Sequence, residues 1–392
     1  MLAPFALAFA AGWLVSNVGA VAGPMADAYG VSLAFVGALA AAAVATHALM
    51  QLPSGRFVDR YGARTAAIGG LSILVAADGV GALAPQPALA VIARLVIGVG
   101  TALCFVAGSD LLRASRAPAL AQGLYGGTAM SGAGLALALL PQVGHDASWR
   151  VSWLSAAVVA ALALVVVAFS VGRAGAAPPL LGSGASSASV VRDRRLYRLV
   201  LLYAASYGSS VVVGNWVVTF LERSAHYSTG EAGAVGALTL FSGILSRPFG
   251  GWIAHRRPRL ARPVVAAGLV VGAAGTAVLA LAPPLALGAV ASAAVGIGAG
   301  IPFGPVFSGA QRLRPDRPAV AVGFVNFVAN AAVVAGVPLV GLTFSLPGGG
   351  RVGLVVVACL WAAALCMLPL AAVLAPVRPV DTGALEGAST HR

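Results

Sequence analysis

The sequence contains no lysine: all 24 basic residues are arginine, set against 11 acidic residues in a chain of 392. Charge of either sign is scarce, at 9% of positions, where soluble globular proteins carry about 25%. That scarcity argues against a soluble enzyme. The formal charge of +13 would suit a nucleic-acid binder, but the arginines gather on no single amphipathic face and sit in short loops between apolar runs. The cysteines Cys104, Cys359 and Cys366 all lie inside apolar runs and read as small buried residues, with no support for a disulfide or a metal site. There is no phosphate-binding loop to support ATP-driven work, and no Ser/His/Asp or Cys/His set with catalytic spacing. The glycine-rich stretch Gly298–Phe303 lacks the strand–turn–helix setting of a dinucleotide site. No cofactor, no metal and no nucleic-acid partner are therefore expected.

What remains is apolar. Hydrophobic residues make up 59% of the chain and the mean hydropathy is +0.94. Apolar runs bounded by charge, proline or glycine give twelve candidate spans, at 3–24, 32–53, 66–84, 88–109, 120–141, 150–170, 198–221, 231–253, 263–283, 285–307, 319–342 and 352–375. Each is about as long as a helix must be to cross a hydrocarbon core of roughly 30 Å. The first run, Leu2–Ala22, is too long for a signal-peptide core and no basic residue precedes it. It reads as span 1, and the missing basic flank suggests that the true start lies upstream. The stretch Gly172–Arg195, rich in Gly, Ser, Ala and Pro and then basic, reads as a flexible linker. The expected organisation is a six-helix half at 1–171, a linker at 172–197, a second six-helix half at 198–376 and a tail at 377–392.

The arginines orient the molecule. With the N-terminus in the cytoplasm, 20 arginines fall on the cytoplasmic side, counting Arg247 at the inner end of span 8, and only Arg150, Arg223 and Arg351 fall opposite. Both termini are therefore expected in the cytoplasm of a bacterial inner membrane. An internal repeat accompanies this. Arg94-x-x-x-Gly98-x-Gly100 in span 4 parallels Ser292-x-x-x-Gly296-x-Gly298 in span 10 at an offset of 198 residues, and Pro53-x-Gly55 parallels Pro248-x-Gly250 at 195.

Between spans 2 and 3 lies the charged hinge Pro53–Arg64, with the pattern Gly55-x-x-x-Asp59-Arg60-x-Gly62-x-Arg64. Together with the span 4 motif, Ser148-Trp149-Arg150, and Gly243-x-x-x-Arg247-Pro248-x-Gly250-Gly251 in span 8, it resembles the signatures of the major facilitator superfamily of secondary transporters. The resemblance covers essentially the whole chain. It implies an all-α membrane protein of twelve transmembrane helices in two pseudo-symmetric bundles, with spans 1, 4, 7 and 10 lining a central pathway. It also implies a latch on the cytoplasmic side. Gly55 would let span 2 lie close to span 11, and Asp59 would accept hydrogen bonds at the N-terminal end of span 11. Arg60, Gly62, Arg64 and Asp110 would complete that charged network. The bland alternative is that these charges only anchor the topology at the headgroups.

Inside the spans, Arg94 stands out, because an unpaired guanidinium there costs several kcal/mol. Asp78 in span 3 lies at a similar depth, so one reading is a structural Asp78–Arg94 pair. The other, implied by the family's span 4 motif, gives Arg94 to proton coupling or to an anionic substrate. The remaining intramembrane polar groups are Asn17, His47, Gln51, Tyr203, Tyr207, Asn215, Asn326 and Asn330. Singly each asparagine reads as interhelical glue; as a set, Asn17, Asn215, Asn326 and Asn330 suggest a wet cavity. His47 could carry protons, but a lone histidine is more often a structural donor.

Span 5 lacks the Gly-Pro-x-x-Gly-Gly signature of the superfamily's drug/proton antiporters. Ile301-Pro-Phe-Gly-Pro305 and the Arg-Pro-Asp loop at Arg314–Asp316 resemble its cyanate and nitrate branch. The expectation is a monomeric secondary transporter that moves a small anionic or neutral solute across the bilayer by alternating access, with protons as the coupling ion. Proton-driven efflux of a drug or metabolite is the competing transport reading, and a non-transporting receptor or scaffold is the alternative of another class.

Overall fold

The computed structural model describes residues 2–83, 86–144, 149–170 and 187–374. Positions 172–186 of the expected linker, the tail at 377–392 and Ser148 of the Ser148-Trp149-Arg150 motif lie outside the described residues. Every regular element among the described residues is helical. In chain order they are α1 (Leu2–Ser16), α2 (Ala22–Tyr29), α3 (Leu33–Tyr61), α4 (Ala63–Leu83), α5 (Pro87–Ala114), α6 (Ala119–Gly144), α7 (Val151–Ser170), α8 (Ser187–Val191), α9 (Arg194–Tyr203), α10 (Ser209–Ser224), α11 (Thr229–Arg256), α12 (Pro258–Ala280), α13 (Leu285–Gly300), α14 (Phe303–Leu313), α15 (Pro318–Leu342), α16 (Arg351–Ala363) and α17 (Ala371–Leu374).

Among the described residues, ten helical segments are long and apolar enough to cross a membrane by length and composition. The expected span at 231–253 falls within α11, and that at 352–375 on the shorter apolar helix α16 and the turns after it. Many leucines and phenylalanines, among them Leu49, Phe169, Leu245 and Leu281, stand exposed on the outside of the molecule. In water such a surface would aggregate; against lipid it costs nothing. Two buried apolar cores lie beneath, one drawn almost wholly from residues 3–167 and one mainly from 190–374.

Helix continuity departs from the sequence reading at several places. The hinge at Pro53–Arg64 is mostly helix: α3 runs on through Pro53 to Tyr61 and stops only at Gly62, whose φ of 86° is one that side-chain-bearing residues avoid. Asp59 and Arg60 of the signature thus ride on the last turn of α3, and Arg64 on the first turn of α4. The span expected at 198–221 is broken by a π-helical turn at Ala204–Gly208, a feature often found at functional sites. The span at 285–307 divides at Ile301-Pro302, where proline interrupts the backbone hydrogen bonding between α13 and α14.

Contacts between helices early in the chain recur between helices late in it. Gly98 of α5 packs against Ala43 and His47 of α3, as Gly296 of α13 packs against Thr239 and Ser242 of α11. Gly55 of α3 meets the backbone of Ala319 and Val320 in α15, as Gly251 of α11 meets that of Ala119 and Leu120 in α6. In these contacts α3 and α11 align at an offset of 196, so the partner of Gly55 is Gly251 rather than Gly250.

Candidate functional site: a central cavity and the contact that closes one end

A cavity lies where α1, α3, α5 and α6 face α9, α10, α11, α14 and α15. It has two adjoining lobes of about 340 and 420 Å³, which share Met130, Tyr207, Val211, Leu240 and Arg247. Its walls are mostly apolar, with polar groups converging at His47, Tyr203, Tyr207, Arg247, Asn326 and Asn330. The size and lining are those of a small-molecule site.

Arg247 is the only arginine lining either lobe. It is 5% exposed, and its Nη1 donates to the Gly126 carbonyl at 2.8 Å. The guanidinium lies 4.6 Å from the ring centre of Phe303 and 5.7 Å from that of Tyr207. Its buried Nε has no hydrogen-bond partner among the described residues, and no carboxylate there pairs with it. Two aromatic faces soften the cost of burying the charge, but donors remain unspent. The π-turn at Ala204–Gly208 supports this arrangement by carrying Tyr207, whose ring stacks on Tyr203 with centroids 5.2 Å apart.

Opposite lies His47, held on α3 by a chain of hydrogen bonds. The Thr101 hydroxyl donates to the Gly98 carbonyl at 3.1 Å, so it accepts from His47 Nδ1 at 3.0 Å. His47 Nε2 then accepts from the Gln51 amide nitrogen at 2.7 Å. These bonds define a neutral imidazole with its proton on Nδ1. Gln51 Oε1 is buried with no partner. Rotating the Gln51 amide would offer that oxygen to a proton on Nε2.

The other sequence-nominated groups divide. Asn326 and Asn330 line the cavity, with the Asn330 amide donating to the Asn326 carbonyl. Asn215 lines the second lobe and donates to the Val211 carbonyl. Asn17 and Arg94 lie behind the cavity wall. Arg94 is fully buried and donates to the carbonyls of Leu14 at 3.0 Å and Leu39 at 3.4 Å and to Asn17 Oδ1 at 3.2 Å, while Asn17 Nδ2 donates to the Ser152 carbonyl. Asp78 is also fully buried, yet among the described residues neither carboxylate oxygen has a hydrogen-bond partner and no ion pair joins it to Arg94.

One end of the cavity is shut. Phe105, Phe303 and Phe307 pack edge and face below it, with Phe303 and Phe307 stacked at 4.4 Å. Deeper still, Ser109 and Gln122 hydrogen-bond to Gln311 from across the molecule. At the arginine-rich face beyond, the buried Asp59 carboxylate accepts from the Ala319 N–H at 3.1 Å and the Val320 N–H at 3.2 Å, at the N-terminus of α15. Gly55, one turn earlier, permits the approach, since a Cβ there would stand 2.7 Å from the α15 backbone. Asp110 pairs with Arg113 at 2.6 Å, and Arg60 lies over the ring of Tyr61. Arg64 is half-buried just past Gly62. Outside the spans, Arg314 grips Asp316 at 2.6 Å and holds that carboxyl below its ordinary range. Arg314 also donates to Ser189 of α8.

A buried cation facing an apolar cavity, closed at one end by a helix-to-helix contact inside an all-helical membrane protein, defines the class of solute transporters. Residues 4–337 match the Major Facilitator Superfamily, and the chain belongs to it. It is accordingly a multi-pass membrane transporter, not an enzyme. Over 332 residues it is 31% identical to the "Probable nitrate/nitrite transporter NarK2" of Mycobacterium tuberculosis (strain H37Rv), covering 79% of this chain and 80% of the relative. In fold it is similar to the Escherichia coli fucose:proton symporter FucP, with a TM-score of 0.71, 15% identity and coverage of 95% of this chain and 99% of that one. It is likewise similar to the human organic anion transporter MFSD10, with a TM-score of 0.70, 16% identity and coverage of 93% and 99%.

Proposed function

We propose that the protein is a secondary transporter that carries a small anion of the nitrate type, together with a proton, by alternating access across the bacterial inner membrane. The observation that carries this reading is Arg247, a buried cation with spare donors and no carboxylate partner, facing the central cavity. A planar anion would take the donors that the protein leaves free and neutralise a charge that is otherwise costly to bury. The relative named for nitrate and nitrite transport points to the same substrate class.

Two six-helix halves, 1–171 and 198–376, joined through 172–197, fit the repeated contacts and the two buried cores. The arginine-rich face, which carries Asp59, is the cytoplasmic one, and both termini lie on that side. With that face shut, the conformation is the one that receives substrate from outside. His47 is the proton acceptor. Protonation places a second positive charge in the cavity that holds Arg247, so proton and anion each raise the affinity for the other. The protein acts as a monomer, with each central cavity built by one chain.

The test is nitrate flux into proteoliposomes, with and without a proton gradient. The wild type should accumulate nitrate when the outside is acidic. Arg247→Leu should abolish flux at equal expression, and His47→Gln should retain exchange while losing the pH drive. Undiminished nitrate flux in Arg247→Leu would overturn the assignment.

A further inference from the structure

The closure at Asp59 has a counterpart on the opposite side of the arginine-rich face, and the counterpart is incomplete. One turn beyond Gly55, α3 supplies Asp59; one turn beyond Gly251, the equivalent contact on α11 supplies His255. The backbone groups waiting there are equivalent too. Ala119 and Leu120 at the start of α6 stand where Ala319 and Val320 stand in α15, but their N–H groups have no hydrogen-bond acceptor among the described residues. In place of a carboxylate there is a cavity of about 650 Å³, and it is basic. Arg113, Arg116, Arg312 and His255 all line it, and no acidic residue does.

These groups are only partly engaged. Arg113 spends its Nε on Asp110, outside the lining, and Arg312 donates one Nη to the Val373 carbonyl. Arg116 is exposed and takes a φ of 50° at the end of α5, a left-handed conformation usually left to glycine. The His255 ring has no hydrogen-bond partner among the described residues. Three guanidinium groups and the start of α6, through Ala119, line one open volume, and the equivalent backbone at the start of α15 holds a carboxylate. Ser109, Gln122 and Gln311, with the phenylalanine plug behind them, separate this cavity from the central one.

We propose that the cavity is a second anion site, distinct from the transport site, which takes a phosphate or carboxylate group supplied from outside the chain. The bound anion does on the α6 side what Asp59 does on the α15 side, so its occupancy favours closure of this face. A volume of about 650 Å³ exceeds what a bare inorganic anion fills, so the natural occupant is an organic anion. The anionic group arrives either on a soluble metabolite or on the headgroup of an acidic phospholipid.

The experiment measures thermal stability of the purified full chain at constant ionic strength. Inorganic phosphate is added in detergent, and in a parallel arm the protein is placed in nanodiscs of phosphatidylglycerol or of phosphatidylcholine. A rise in Tm with phosphate in detergent supports a soluble occupant, and a rise only in phosphatidylglycerol supports the lipid headgroup. The Arg116→Ala/Arg312→Ala double variant should lose the response. His255→Asp, which supplies the missing carboxylate, should raise Tm without added anion and respond to it weakly. Arg247→Leu, altered only in the central cavity, should respond like the wild type. The proposal falls if neither phosphate nor phosphatidylglycerol shifts the wild type. It falls equally if the response survives in the double arginine variant or disappears in Arg247→Leu.

Discussion

Replacing Asp59 by asparagine isolates the closure of the arginine-rich face from everything else in the chain. Asp59 is 4% exposed, and its carboxylate accepts two hydrogen bonds, at 3.1 and 3.2 Å, from consecutive N–H groups at the start of α15. Hydrogen bonds to a charged group contribute about 1.5–3 kcal/mol each, and a negative charge at a helix N-terminus adds about 0.3–2 kcal/mol. Asparagine can present one oxygen to one N–H, but its NH₂ then opposes the other. It also removes the desolvation cost that the carboxylate incurs on burial, which offsets part of the loss. The net destabilisation of the closed state is about 1–3 kcal/mol, or roughly 5- to 150-fold in the closed/open ratio.

Spin labels at Arg56→Cys and Arg256→Cys, on the exposed ends of α3 and α11, read that ratio directly as a distance distribution. The background replaces the exposed Cys359 and Cys366 by serine and leaves the buried Cys104 in place. Asp59→Asn should move population to longer distances. Gly55→Val should do so further, because its side chain meets backbone on α15 that has no slack to give. If both variants keep the wild-type distribution, the Asp59 contact is only a topology anchor.

Two further outcomes follow from the geometry. Arg94→Leu should lower Tm by an amount expected for several kcal/mol of lost buried bonding, while nitrate affinity per folded molecule stays near that of the wild type, because Arg94 lies behind the cavity wall. Asp78→Asn should leave Tm unchanged or raised, since neither oxygen has a hydrogen-bond partner to lose; a large drop would show that Asp78 and Arg94 act as a pair after all. A tag after Arg392 should survive protease added outside intact spheroplasts, and digestion there would reverse the proposed orientation.

How far the sequence could be read depended on which property each residue had to reveal. The membrane class followed from composition, and the Asp59 contact lay within reach because a short motif specified both a small residue for close approach and an acid one turn later. The depth of Arg94 was also readable, by counting from the ends of its span. Its direction was not. A helix such as α5 is apolar around its whole circumference, so no polar stripe marks which face turns to the cavity. The distance of Asp78 from Arg94 was hidden for the same reason. Arg247 counts among the topology charges in the sequence because it falls toward the inner end of the span at 231–253. In the structure α11 continues to Arg256, nine residues further on, which at about 1.5 Å per residue sets Arg247 roughly 13 Å inside the helix.

The repeat held the missing information once its register was known. Gly123 packs on the backbone of Arg247 as Gly323 packs on that of Gln51, so Arg247 and Gln51 occupy equivalent places, and Gln51 lies inside its span by any count. The same register sets His47 against Gly243 and Asp59 against His255. Backbone contacts repeat while these three side chains do not, which is what a duplicated scaffold under separate demands would produce. Close packing fixes glycines on both sides of each helix pair, because a Cβ there has nowhere to go. The positions facing open volume are free of that constraint and can diverge. A cation, Arg247, appears in α11 where α3 carries the amide of Gln51, and an imidazole, His47, appears in α3 where α11 carries Gly243. The asymmetry therefore marks the cavity's chemistry: its guanidinium comes from α11 and its imidazole from α3, and neither helix alone supplies both.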